Sequence, residues 1–251
     1  MKPLNEKTLI LAHRGACGYA PENTMEAFKL AVEMGADGIE LDVHFTADGE
    51  VVVCHDEKID RTSNGQGLVT DYTLAELKEM DFGYHFNGSE GKGITIPTLD
   101  EVYELVAPLG MIVNVEIKSA NPDIAKACYD IAKKHGMSDR IIYSSFNHFQ
   151  LQVMKDLDPD ARIAPLYNFN MANPWNYAAD INAYAIHPRH VQIHRLPEFV
   201  KNCHEKGIHV NVWTVNDEDE TKFLLEAGVD AIITNYPDVL LNVRDNFGKQ
   251  E

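Results

Sequence analysis

The chain has 251 residues, 45% of them hydrophobic and 24% charged, a balance too apolar for disorder and ordinary for a soluble globular protein. Its 22 Lys and Arg against 39 Asp and Glu leave a formal charge of −17, which repels nucleic acid and anionic membrane and is offset by no basic cluster. No apolar run approaches the ~20 residues of a membrane span, and nothing ahead of His13 reads as a secretory signal, so the cytoplasm is the expected compartment.

Short apolar runs alternate with helix-period segments from one end to the other. In chain order, strands are predicted at Leu9–His13, Gly38–Val43, Met111–Ile117, Arg140–Phe146, Arg162–Tyr167, Ala183–His187, His209–Val215 and Ala231–Thr234. Amphipathic helices are predicted at Met25–Met34, Ile124–His135, Leu151–Asp156, Leu196–Lys206 and Glu218–Ala227, with the poorest helical pattern around Asn173–Ala179. Alternating strand and helix with nearly continuous apolar strands predicts an α/β fold with a parallel sheet. About eight such units close into a (β/α)8 barrel, expected as one domain over residues 1–251. Asn23, Thr73, Thr98 and Asp217 each stand three residues before a Glu, the spacing of a capping box at a helix start. On this reading capping accounts for the whole of Pro21–Glu22–Asn23–Thr24. Gly35, Gly110, Gly136, Gly207 and Gly228 follow periodic segments, as C-terminal glycines do.

Residues 56–97 break the alternation with a polar, glycine-rich stretch after the second strand region. So long a loop in a compact domain is expected to be functional; it reads as a small insertion over the barrel mouth with a short helix near Thr73–Met80. The cysteines (Cys17, Cys54, Cys128, Cys203) form no C-x-x-C pair, so reduced and mostly buried thiols are expected. Dinucleotide, P-loop, nucleophile-elbow and H-E-x-x-H patterns are absent.

Strand parity then groups the polar residues. Residues two apart share a face, so Glu40 and Asp42 point together, as do Asn114, Glu116 and Lys118. The first strand ends at His13, followed by Arg14, and strand C-terminal ends form the mouth of such a barrel. Two carboxylates ~4 Å apart repel by about 4 kcal/mol at an effective dielectric of 20, so Glu40, Asp42 and Glu116 need a compensating cation. Lys118 and Arg14 could supply it as an ion-pair network. A divalent ion could do so equally, and three oxygen ligands without cysteine favour Mg²⁺ or Ca²⁺ over zinc. The spacing does not choose between them. Most of the histidines, among them His135, His204 and His209, read as ordinary surface or core residues. His13 and His55 stand out, one closing the first strand and the other ending the apolar run Val51–Cys54. Imidazoles on opposite sides of a metal can act as general acid and base, although residues so placed are more often structural. Trp213 faces inward with Asn211, as core filling or as a surface for a bound polyol.

The chain resembles the bacterial glycerophosphodiester phosphodiesterase family over nearly its whole length. The matching segments are AHRGACGYAPENT from Ala12, GADGIELDVHFTADG from Gly35 and VVVCHDEKIDRTSNGQGLVTDYTLAEL from Val51. IPTLDE from Ile96, VNVEIKS from Val113, SSFNH from Ser144, VNVWTVND from Val210 and ITNYPD from Ile233 follow in order. The resemblance implies a TIM barrel with a small insertion after the His55–Asp56 pair. It implies that Glu40, Asp42 and Glu116 bind a divalent metal, commonly Mg²⁺ or Ca²⁺, and that His13 and His55 form the acid–base pair. By the same similarity Arg14 and Lys118 hold the phosphate and Trp213 lines the glycerol side. Asn235 departs from the pattern, standing where many relatives carry Asp.

The implied reaction is hydrolysis of a small-molecule glycerophosphodiester to sn-glycerol 3-phosphate and an alcohol. The glycerol 2-hydroxyl can be the nucleophile, through a cyclic phosphate, or water can attack directly; the residues leave that choice open, together with which histidine is the acid. A phosphatidylinositol phospholipase C-like lyase that stops at a cyclic phosphate is the enzymatic alternative, recognisable by a persistent cyclic product. A barrel that only binds a polyol phosphate is the non-catalytic one, and it predicts missing site residues.

Overall fold

The computed structural model describes residues 7–89 and 91–249. Among them the strands are β1 (Leu9–His13), β2 (Gly38–Phe45), β3 (Val51–Val53), β4 (Ile112–Ile117), β5 (Ile141–Ser145), β6 (Ile163–Tyr167), β7 (Ala185–Pro188), β8 (His209–Val212) and β9 (Ala231–Thr234). All except β3 run parallel in the order β1-β2-β4-β5-β6-β7-β8-β9, and β9 pairs with β1 to close the sheet. The result is the eight-stranded TIM barrel expected from the alternation.

The predicted strands recur within a few residues, with two informative differences. β2 runs past the barrel to Phe45 and pairs antiparallel with β3, Val43 opposite Val53 and Phe45 opposite Val51. The hairpin is turned by Thr46, whose hydroxyl accepts from the Glu50 amide at 2.9 Å, and by Gly49 at φ +86°. β8 stops at Val212 rather than Val215, leaving Trp213 in a single bridge to Arg189.

Helices fill the crossovers. The helix predicted at Leu196–Lys206 forms over Phe199–His204, and a short helix that was not predicted, Val191–Arg195, precedes it across a break at Leu196. Pro197 explains the break, since the residue before a proline is pushed out of the helical region, and Leu196 lies at φ −129°, ψ 87°. Thr73 and Thr98 form the predicted capping boxes for α2 (Leu74–Lys78) and α3 (Leu99–Val106). The five glycines expected at helix ends all have positive φ. Helix α1 (Met25–Glu33) is capped by Thr24, which accepts from the Ala27 amide, and not by Asn23. That shift frees Asn23 and Glu22 for the site. Helix α6 (Pro174–Asp180) does form where the helical pattern was poorest.

Inside the barrel the inward residues are layered. Leu9, Leu11, Ile112, Ile142 and Ala231 fill the lower end with an apolar cluster that reaches up to Ile233 in the lining of the mouth. Asn114, Ser144, His187 and Asn211 lie above it, all buried, and the charged groups lie above them. Gly38 lets β2 and β4 approach, because a Cβ there would sit 2.3 Å from the Ile112 carbonyl oxygen. Residues after His55 have their own small core, in which Ile59, Val69, Leu77, Phe82 and Ile96 pack on Val52 and Cys54. Among the described residues the four cysteines are unpaired and no helix is long and apolar enough to cross a membrane.

Candidate active site

Strand register assembles the mouth. His13 lies opposite Glu40, Glu40 opposite Asn114, and Asp42 opposite Glu116. The period-two positions of three neighbouring strands therefore meet, and Glu40, Asp42 and Glu116 offer carboxylate oxygens within 4.8 Å of one another. All three are buried. A pocket of about 100 Å³ opens above them, lined by His13, Arg14, Glu40, His55, Glu116, Lys118 and Trp213. Of the residues singled out in the sequence only Asp42 is absent from that lining, being 1% exposed and lying behind it.

Two cations face the carboxylates. The Arg14 amide donates to Glu40 Oε2 at 3.0 Å, and its Nε is 3.4 Å from Asp42 Oδ2. Lys118 Nζ lies 3.2 Å from Asp42 Oδ1 and 2.5 Å from Glu116 Oε1. Lys118 thus bridges two of the three carboxylates with a single positive charge. Asn23 donates to Asp42 Oδ2 at 2.9 Å.

Three anions against two cations leave a deficit, and it falls on Glu40 and Glu116. Burial, then the neighbouring charges of Asp42 and Glu116, push Glu40 well above the usual carboxylate range. Burial and Asp42 push Glu116 up to about 7. Burial acts the same way on Asp42, but Lys118 and Arg14 outweigh it and hold that carboxyl far below its ordinary value. Without further positive charge, Glu40 and Glu116 hold their protons more tightly than a free carboxyl does. A hard divalent ion fits this donor set, three clustered carboxylates whose charge exceeds that of the two cations beside them.

The histidines are set differently. His13 Nδ1–H donates to Asn235 Oδ1 at 2.7 Å, and His55 Nδ1–H to Asp56 Oδ1 at 2.6 Å, the protons being placed by those partners. Each ring therefore has Nε2 free, and both rings line the pocket. Burial and Arg14 pull His13 down to about 4, its amide partner raising it only in part. Burial, with Arg14 and Lys118, also lowers His55, against the pull of Asp42 and Asp56.

The loop after β1 shows why local sequence matters. Arg14 and Asn23 occupy left-handed backbone at φ 53° and 55°, and the Asn23 amide donates to the Arg14 carbonyl at 2.9 Å. Gly15 is required, because a Cβ there would lie 2.6 Å from the Ala27 carbonyl carbon. Trp213 Nε1–H donates to the His187 carbonyl at 2.8 Å, and its indole meets Phe146 edge-on at 5.7 Å. Phe146 also sits 6.0 Å from Lys118 Nζ. Sequence reasoning missed Phe146, Glu22, Asn23 and Arg61. Phe146 had a usable signal, as the residue immediately after a strand's C-terminal end.

Comparison with known proteins points to one family. Residues 13–239 match the model of the glycerophosphoryl diester phosphodiesterase family. A glycerophosphodiester phosphodiesterase of Caldanaerobacter subterraneus subsp. tengcongensis is 44% identical, over 94% of this chain and 98% of that protein. One of Bacillus altitudinis is 39% identical, over 96% and 99%. An Oleispira antarctica phosphodiesterase, solved with the product sn-glycerol-3-phosphate, superimposes with a TM-score of 0.86 at 31% identity, covering 95% of this chain and 97% of that one.

Proposed function

The chain belongs to the glycerophosphoryl diester phosphodiesterase family and is a phosphoric diester hydrolase; from that premise we propose that it splits glycerophosphodiesters to sn-glycerol 3-phosphate and an alcohol. In this reading Glu40, Asp42 and Glu116 hold one divalent cation, Mg²⁺ or Ca²⁺, and His13 and His55 move the protons. The observation that carries it is the charge deficit under the pocket: three buried carboxylates against Arg14 and Lys118. A phosphodiester brings one more negative charge, and a divalent ion neutralises both.

When bound, the cation supplies Lewis-acid polarisation of a phosphoryl oxygen and screens the charge that develops in the transition state. The side chains do the rest. Arg14 is held at Nη1 by Glu22 at 2.8 Å and presents its remaining donors as a planar fork for phosphate. Lys118 adds a point charge. One imidazole Nε2 takes the nucleophile's proton and the other gives one to the leaving alkoxide, which two rings held at Nδ1 on one pocket are placed to do. Phe146 and Trp213 offer apolar faces against which the glycerol carbons can pack. The polar segment of residues 56–97 is read as a cover over the mouth that selects the alcohol group, and the unpaired cysteines support a reducing, cytoplasmic setting.

Dialysis against EDTA followed by an assay of sn-glycerol 3-phosphate release from glycerophosphocholine tests this directly. Turnover is expected to vanish and to return with Mg²⁺ or Ca²⁺. Full activity in the stripped protein would sink the metal assignment.

A further inference from the structure

The segment that follows His55 is tied to the barrel by one unbroken chain of charged contacts. His55 Nδ1–H donates to Asp56 Oδ1 at 2.6 Å, and the other oxygen of Asp56 accepts from Arg61 Nε, also at 2.6 Å. The terminal nitrogens of Arg61 grip both oxygens of Glu22 at 2.8 and 2.7 Å. Glu22 in turn accepts from Arg14 Nη1 at 2.8 Å. Arg61 thus links the partner of His55 to the partner of Arg14, although it lies outside the pocket lining.

Its backbone is well placed for that task. Arg61 closes a one-turn helix, Ile59–Arg61, whose Ile59 is fully buried in the small core beneath the segment. The Ser63 hydroxyl donates to the Ile59 carbonyl at 2.8 Å and helps to fix the turn. The Asp56 carboxylate, by contrast, is one-third exposed, and among the described residues its side-chain partners are His55 and Arg61. Take Arg61 away and Asp56 turns freely toward water, so His55 loses a fixed acceptor for its Nδ1–H. A fork is needed: Nε serves one carboxylate while the two Nη atoms serve another, which a lysine ammonium cannot reproduce.

We propose that Arg61 is a positioning residue for the hydrolysis: by holding Asp56 it fixes the orientation and tautomer in which His55 presents Nε2 to the pocket. The inference rests on the acid–base role of His55 proposed above. Arg61 also staples the segment to the barrel through Glu22, so the test must separate positioning from stapling.

The experiment compares Arg61→Ala, Asp56→Asn, the double variant and His55→Ala as full-length, metal-loaded proteins turning over glycerophosphocholine. The imidazole Cε1–H signals of His55 and His13 are followed by NMR in the metal-free proteins. Arg61→Ala is expected to lower kcat by about 10–100-fold, the usual cost of losing a group that orients an active-site imidazole, with KM within about threefold. The double variant is expected within about twofold of Asp56→Asn, because contacts in one chain are not additive. The His55 resonance should move in Arg61→Ala while that of His13 stays. A folded Arg61→Ala with a lower Tm but normal kcat would reduce Arg61 to a staple and overturn the proposal. Multiplying losses in the double variant, or a loss confined to KM, would overturn it as well. His55→Ala with normal turnover would instead remove the acid–base reading on which the inference stands, whereas an unmoved His55 signal beside an inactive His55→Ala removes Arg61 alone. Should Arg61→Ala not fold, Arg61→Gln carries the same measurements.

Discussion

Both ends of the barrel set carboxylates beside histidines and arginines, half-buried at the floor and buried at the mouth, and they treat them in opposite ways. At the floor, Asp230 just before β9 accepts from His209 Nδ1 at 2.7 Å, His204 Nε2 at 2.8 Å and the Val210 amide at 2.7 Å. Burial opposes its charge, but those donors outweigh it and hold the carboxyl well below its ordinary value. Asp37, just before β2, accepts from the Ile10 amide at 2.7 Å and pairs with Arg244. Asp230 thus has three donors to itself and Asp37 two. At the mouth three acids share two cations, and Glu40 and Glu116 are pushed up rather than down. Side chains of one chemical kind therefore stabilise the fold at one end and hold an unmet demand for positive charge at the other. Such a demand is what a binding site for a cation and an anionic substrate requires.

The comparison makes removable groups at the mouth costly for turnover and cheap for folding. His13→Ala or His55→Ala should each cut kcat by ~10²–10⁴, read as sn-glycerol 3-phosphate release at saturating substrate, with Tm nearly unchanged. A matching drop in Tm would mean that the mouth histidines are structural, like those of the floor.

A second test sharpens the electrostatic side. In the metal-free protein Glu116 keeps its proton up to about pH 7, whereas in the unfolded chain it loses it near ~4.3. The folded state therefore binds more protons between those values, and stability falls as pH rises through that window. Glu116→Gln removes that residue's share of the slope. Measured by thermal melting in EDTA, it should stabilise the protein by roughly 1–3 kcal/mol at pH 8 and by almost nothing at pH 4, while turnover is lost. A destabilised variant at pH 8 would show that the mouth carboxylates are no worse off than the floor ones.

The smallest expected effect on activity lies at the floor. Asp230→Asn should cost about 1–2 kcal/mol, the order for weakening three charge-assisted hydrogen bonds whose side-chain donors are partly exposed, with kcat unchanged. Because folding lowers the pKa of Asp230, its contribution is present above its unfolded value and lost as pH falls. The hydrogen bond to Asp230 raises His204 despite partial burial, so that share is present below ~6.5 and lost as pH rises through the folded value. The Tm difference from the parent protein should peak near pH 5–6. A difference that kept growing toward pH 9 would contradict this account.

Much of the site was legible because strands have period two. His13, Glu40, Asp42, Glu116 and Lys118 fall at strand ends or inward positions, and parity alone groups them once the strands are recognised. The PENT segment misled for a local reason. Asn23 has the residue type and spacing of an N-cap, and nothing local says that Thr24 takes that role while Asn23 turns into left-handed backbone to reach Asp42. Asn235 was noted as a departure, but its partner His13 is 222 residues away in sequence, and only the pairing of β9 with β1 brings them together.

What the sequence by itself determined is the barrel and the identity of the chemical groups at its mouth. Apolar runs, glycine stops and strand parity are local quantities, and they bind each inward residue to its layer. What only the tertiary structure decided is how the loops meet: Glu22 between Arg14 and Arg61, Asp56 between Arg61 and His55, Phe146 against Trp213. Loops carry no period, so the direction of a side chain within them follows from barrel closure and from the small core under Ile59, which exist only once the chain is folded.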